Sequence, residues 1–214
     1  MCYNKAYLTK RAEKLAKRYG HDESEVRFVQ EQLIKLNISP VYNASGFNHP
    51  SVPVIINKSK EIHLFSWGLI PFWAKDIEIR KNTLNAKIET LNEKPSFRNC
   101  INNRCLVIAD GFYEWQWLDP KGKNKQKYKI TLEDNSLFAL AGLWSEWVNK
   151  DTGELTKSYT ILTTEANSLM SKIHNSKKRM PVVLLETKEK RWLLGDSIDN
   201  FRIPDSVLKA EIAY

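Results

Sequence analysis

No run of the 214-residue chain approaches the roughly 18 consecutive apolar residues that a membrane helix needs. The opening MCYNKAYLTKRAEK also lacks the apolar core of a secretory leader. The expectation is a soluble, cytoplasmic protein with no membrane partner. Cysteine is scarce: Cys2, Cys100 and Cys105 are odd in number and scattered, which fits a reducing compartment rather than a disulfide framework. They are not spaced as zinc ligands, and neither a metal nor another cofactor is expected. Repeats, low-complexity tracts and breaks in composition are missing too, so residues 1–214 are read as one domain and as a monomer.

What the chain does have is 42% hydrophobic residues, seven tryptophans and a formal net charge of +8. The first is enough for a sizeable core. The charge admits anionic partners such as nucleic acid or a membrane surface without choosing between them.

Leu8, Ala12, Leu15 and Tyr19 recur at helical spacing before Gly20, and a second helix is expected from Asp22 or Ser24 until Asn37 and Pro40 stop it. From Val41 onward short strands alternate with turns: Val52–Asn57, Ile62–Trp67, Tyr128–Leu132, Leu137–Trp144, Ser158–Thr163 and Met180–Leu185. Thr83–Leu91 fits strand or helix equally. Ala166–Ile173 and Lys188–Leu194 are short helices, the latter followed by a polar tail. The lysines of Lys121–Lys127 read as a solvated hairpin loop. The fold expected is α+β, with a mostly antiparallel, barrel-like sheet flanked by helices.

The centre of the chain is Arg104–Trp117, RCLVIADGFYEWQW. Five apolar residues make a buried strand, Asp110-Gly111 is a turn signal, and Phe112, Tyr113, Trp115 and Trp117 then surround one carboxylate, Glu114. Aromatic neighbours strip water from a carboxylate and raise its pKa, which suits a general acid. The same pattern also fits an edge-strand carboxylate with its head in water. His174, at a helix–strand junction in a chain with four histidines, is a candidate acid or base, though a surface histidine would look the same.

Cys2 is more informative. Removal of Met1 would leave a residue whose amine and thiol are two carbons apart. The amine, of reference pKa about 7.7–8.0, adds to an aldehyde to give an imine, and the thiol, of pKa about 8.5, closes a five-membered thiazolidine.

Met1-Cys2, Trp67–Trp73 (WGLIPFW), Asn85–Thr90 (NAKIET), Cys105–Trp115 (CLVIADGFYEW), Ala141–Trp144 (AGLW), Thr160–Asn167 (TILTTEAN) and His174 with Arg179-Met180-Pro181 run in that order. In these blocks the chain resembles the SRAP family of abasic-site-processing proteins, also described as SOS-response-associated peptidases. The resemblance implies a β-rich core and a cleft for single-stranded DNA containing abasic sites. It also implies removal of Met1 by the protein itself and a covalent thiazolidine on Cys2. By motif position Asn85 orients the cysteine, Glu114 is the acid/base that opens the deoxyribose ring, and His174 assists imine formation or reversal. Arg179 falls at a phosphate-contacting arginine, Lys87 at a position usually occupied by Arg, and Trp67, Pro71 and Trp73 in a loop that abuts displaced bases.

Three departures stand out: Tyr3-Asn4 follows Cys2 where many members read Gly-Arg, Lys87 gives up bidentate geometry, and the loop between His174 and Arg179 is long. Two other readings stay open: a cysteine peptidase or amidohydrolase using Cys2 and His174, and a non-catalytic single-strand binder.

Overall fold

All six residues of Arg104–Ala109 are buried, which a strand tolerates only when both of its faces are covered. The computed structural model describes residues 2–7, 17–19, 23–59, 61–204 and 207–214. Its strands, in chain order, are β1 (Asn4–Tyr7), β2 (Val41–Ser45), β3 (Ser51–Ile56), β4 (Ile62–Trp67), β5 (Asn85–Lys87), β6 (Arg104–Ala109) and β7 (Gly111–Trp117). There follow β8 (Lys125–Leu132), β9 (Phe138–Val148), β10 (Leu155–Glu165), β11 (Arg179–Pro181), β12 (Val183–Leu184) and β13 (Leu208–Ile212). Among the described residues the α-helices α1 (Glu23–Lys35), α2 (Ser168–Ile173) and α3 (Glu186–Leu194) lie between them.

Strands β10, β4, β3, β6 and β9 pair in that order, and β9 pairs back onto β10, so five strands close a barrel. All of these pairings are antiparallel except β4 with β10. Closure leaves no side-chain room at Gly142, where a Cβ would sit 2.7 Å from Cys105 Sγ and 2.9 Å from the Thr160 carbonyl oxygen. Outside the barrel, α3 covers β6: Trp192 Nε1 donates to the Cys105 carbonyl at 3.1 Å. The buried Arg104 guanidinium lies 4.4 Å from the Trp192 ring and donates to the Trp192 and Asp196 carbonyls at 3.1 and 2.7 Å.

The second sheet runs β13-β8-β7-β1-β2. The turn signal Asp110-Gly111 does not join two paired strands of one sheet. It is the point where the chain leaves the barrel at Ala109 and enters the second sheet at Gly111, with Asp110 N–H donating to the Ala6 carbonyl at 3.1 Å.

The α+β, mostly antiparallel, barrel-like architecture is the one expected. The details differ where local pattern is weak. Thr83–Leu91 is neither one strand nor one helix but the short β5 followed by a 3-10 turn at Ile88–Thr90. The expected strand Met180–Leu185 splits into β11 and β12, and the polar tail supplies β13 on the edge of β8. The helix expected over Leu8–Tyr19, and Met1, lie outside the described residues apart from residues 17–19, which are helical. Among the described residues no helix is long and apolar enough to cross a membrane.

Candidate active site

Strand β1 is what places Cys2. It pairs with β7 through Asn4–Tyr113, Lys5–Phe112 and Ala6–Gly111, a register that continued by one residue brings Tyr3 opposite Glu114. Cys2 follows directly, wholly buried, with its Sγ donating to the Asn4 carbonyl at 3.7 Å. Glu114 is 3% exposed, so it is not an edge carboxylate with its head in water. Burial pushes its carboxyl up to about 7. Burial also pushes the Cys2 thiol up to about 12, and the Glu114 charge acts in the same direction, which puts the two groups in one electrostatic neighbourhood.

His174 reaches the same place from α2. Asn167 caps that helix, its side chain accepting from Met170 N–H at 2.9 Å, and the chain beyond it is fastened to β7. Gln116 Nε2 donates to the Lys172 carbonyl at 3.1 Å. The Asn175 amide behaves as a short extra strand: its Oδ1 accepts from Trp117 N–H at 3.0 Å and its Nδ2 donates to the Trp117 carbonyl at 2.9 Å. Residues 114 and 116 share a face of β7, so Glu114 lies on the side that meets α2.

His174 is 7% exposed, and its Nδ1 is 2.8 Å from the Arg179 carbonyl. A carbonyl only accepts, so Nδ1 carries the proton and Nε2 is the basic nitrogen. The Arg179 N–H, 3.2 Å from the same Nδ1, is the longer and competing contact. Burial drives the His174 pKa down to about 4. At neutral pH the site thus holds a neutral imidazole and a carboxyl close to half-protonation, a base and an acid set apart by their surroundings.

Asn85 comes from β5, which runs parallel to β10 with Asn85 opposite Ile161 and Lys87 opposite Thr163. Both polar atoms of its amide are buried and make no hydrogen bond among the described residues. Buried polar groups rarely go unsatisfied without a reason. A donor and an acceptor side by side suit a polar ligand. Lys87 is exposed next to it.

Arg179 is placed differently from the sequence reading. Its two terminal nitrogens donate to the Glu89 carboxylate at 2.9 and 2.8 Å, and one also donates to the Thr163 carbonyl at 2.7 Å. The fork assigned to a phosphate is turned onto a carboxylate, and the residue ties β11 to β10 and the Glu89 turn. Trp67 needs correction as well. It is fully buried, donates from Nε1 to the Leu84 carbonyl at 2.8 Å and stacks on Tyr159, so its ring offers no surface to a base. Pro71 is buried too. The aromatic surface of this loop is Phe72, 62% exposed, and Trp73, 43% exposed. The buried Thr163 hydroxyl donates to the Ala86 carbonyl at 3.3 Å, tying β10 to β5.

Lys5 is completely buried. Its Nζ donates to the Ile108 carbonyl at 3.1 Å and lies 5.9 Å from the Tyr159 ring. Burial lowers its pKa to about 7, against the pull of Cys2, Cys105 and Asp110. Between pH 7 and the unfolded value the unfolded chain binds more protons, so this residue makes stability rise with pH across that window. Lys5→Met should therefore raise the melting temperature at pH 7 and reduce the wild-type gain between pH 7 and 10. Thermal melts at the two pH values test this, and a variant less stable than wild type at pH 7 contradicts it.

Among the described residues no three His, Cys, Asp or Glu side chains gather as a metal site.

The model of the SOS response associated peptidase (SRAP) family matches residues 1–210. The chain is 45% identical over 163 residues to the abasic site processing protein YoqW of Bacillus subtilis, covering 75% of this chain and 69% of that protein. It is 33% identical over 141 residues to the abasic site processing protein HMCES of Gallus gallus, covering 55% of this chain but only 40% of that longer protein. A crystal structure of a Bacteroides thetaiotaomicron protein superposes with a TM-score of 0.84 at 36% identity, over all of this chain and 92% of that one.

Proposed function

The chain belongs to the SRAP family, and from that premise we propose that it processes abasic sites in single-stranded DNA by forming a covalent thiazolidine on Cys2. The observation that carries this reading is the placement of Cys2 beside Glu114, a buried carboxyl held near half-protonation at neutral pH. Once Met1 is removed, the α-amine of Cys2 attacks the aldehyde carbon of the opened deoxyribose. Glu114 delivers a proton to the departing oxygen, which leaves as water, and an imine remains. Cys2 Sγ then adds to the imine carbon while the thiol proton passes to nitrogen, closing the ring without any oxidation or reduction. His174 Nε2 serves as the proton carrier between these steps. The Asn85 amide holds the sugar or the reacting amine, and Lys87 meets the phosphate that Arg179, engaged with Glu89, does not.

The peptidase alternative calls for an activated thiolate, whose pKa is lowered by a cationic partner. Burial moves the Cys2 thiol the opposite way, to about 12, and the pKa of His174 is about 4, so it is neutral at working pH. A thiol that closes a ring onto an imine already in place has no such requirement.

The test is to mix the protein with an abasic oligonucleotide and look for a band that survives heat and SDS. Its absence on abasic DNA, with cleavage of added peptides instead, would favour the peptidase. Substituting the exposed Trp73 gives a separate check of the binding face. Trp73→Ala should cost about 1–3 kcal/mol of single-strand affinity if a base stacks there. Fluorescence titration with an undamaged oligonucleotide reads it, and an unchanged affinity removes Trp73 from the interface.

A further inference from the structure

Strands β7 and β8 carry a pattern that the chemistry at Glu114 does not use. Their register sets Tyr113 opposite Lys129, Trp115 opposite Lys127 and Trp117 opposite Lys125. Three aromatic–lysine pairs therefore share one face, while Glu114 and Gln116 project from the other. Lys125 Nζ lies 5.5 Å from the Trp117 ring centre and Lys127 Nζ 4.7 Å from that of Tyr113. An ammonium resting on a ring keeps hydrogen-bond donors available, and its stem has already lost much of its freedom.

The turn beyond adds Lys121 and Lys123, both exposed, in a fixed conformation. Asp119 accepts from the backbone N–H groups of Lys121, Lys123 and Asn124 at 2.9, 3.3 and 2.5 Å. Gly122, at φ +61°, lies against the Trp117 ring so closely that a Cβ would be 2.5 Å from it. The Asn175 clasp brings the exposed Lys177 and Lys178 to the same end of the strand. Nearby acidic groups are already occupied: Asp119 by the turn, and Glu211, opposite Lys129 on β13, by Lys209 at 3.2 Å.

We propose that this lysine–aromatic face of the β7–β8 hairpin, with the Lys177–Lys178 turn beside it, is a second contact surface for single-stranded DNA, a track for the strand that flanks the reacting nucleotide. The proposal rests on the function proposed above. Pairing of β1 with β7 ends at Tyr113 and the Asn175 clasp takes the edge again only at Trp117, so between them β7 has no partner strand on that side among the described residues, and a strand leaving Cys2 can pass around it there. Glu114 and Trp117 are three residues apart, about 10 Å along an extended chain. Half-buried tryptophans in the same row as the cations suit unstacked bases better than a duplex.

Binding is measured by anisotropy on oligonucleotides of about 5 and about 15 nucleotides, a length range that brackets single-strand site sizes. Each carries a central tetrahydrofuran, an abasic analogue with no aldehyde, so that binding is read without crosslinking. The variant is Lys125→Gln/Lys127→Gln/Lys129→Gln, its fold checked by circular dichroism. On the long oligonucleotide the slope of log affinity against log salt should fall by roughly 2, at about 0.7 per lost phosphate contact on a single strand. On the short one affinity should stay the same. An unchanged slope on the long oligonucleotide, or an equal loss on both, overturns the proposal. So does a flank that binds more tightly, and loses more in the variant, when a complementary strand covers it. Wild-type crosslinking to genuine abasic DNA is run in parallel. If it fails, the function is wrong; if it succeeds and the slope does not move, only the hairpin surface is wrong.

Discussion

Protein carrying Cys2→Ala, with Met1 removed, should give no heat- and SDS-resistant adduct with abasic DNA, a complete loss of the stable product. The variant keeps an α-amine, so it can still form an imine, and borohydride should trap that species as a secondary amine. Without sulfur the imine carbon has no second nucleophile, and water reverses it. Cys2→Ser should resemble Cys2→Ala. An untreated adduct that disappears on heating, together with a borohydride-trapped one that survives, is the expected pair of results. The amine has a reference pKa of about 7.7–8.0 and exists as an amine only when no peptide bond joins it to residue 1. Active protein should therefore begin at Cys2, which the mass of the N-terminal peptide reports. A stable adduct on protein that retains Met1, or on Cys2→Ala without borohydride, would sink this mechanism and point to another nucleophile such as Lys5.

The parts of this arrangement that sequence could reveal are those carried by local pattern. The apolar run Cys105–Ala109 announced a buried strand, which is found; the aromatic cluster left Glu114 open between a dehydrated carboxylate and an edge carboxylate in water, and only the packed structure shows it buried. Closure of the barrel could not be read, because it depends on β9 and β10 being long enough to pair with neighbours on both sides. Nor could the fate of individual side chains within a recognised motif. Trp67 and Trp73 belong to the same heptapeptide, yet one is core and the other is surface, since Trp67 ends a barrel strand and Trp73 lies beyond the turn at Gly68. Arg179 was legible as a cation but not as the partner of Glu89, 90 residues away. Lys5 looked like an ordinary lysine of a basic segment, and only the pairing of β1 between β2 and β7 shows that it faces the core.

Glu114→Gln should slow adduct formation and reversal by roughly 100- to 10,000-fold, the usual range for a general acid–base group, while affinity for undamaged single strands stays close to wild type. The amide keeps the shape and a hydrogen-bonding end but has no proton to give. With a carboxyl pushed up to about 7, the wild-type rate of the acid-dependent step should fall as pH rises through 7, and Glu114→Gln should lose that limb of the profile. Stability should move the other way. Between the unfolded carboxyl value, about 4.3, and 7, the folded protein binds more protons at this site than the unfolded chain does, so Glu114 makes stability decline with pH across that window and the penalty stays in full above it. Replacing it by a neutral isostere should therefore raise the melting temperature at pH 8. A glutamate kept only for structure would give the opposite pair, wild-type rates and a less stable variant. Single-turnover crosslinking from pH 5 to 9, with thermal melts on the same samples, separates the two, and wild-type rates in Glu114→Gln would remove this residue from the chemistry.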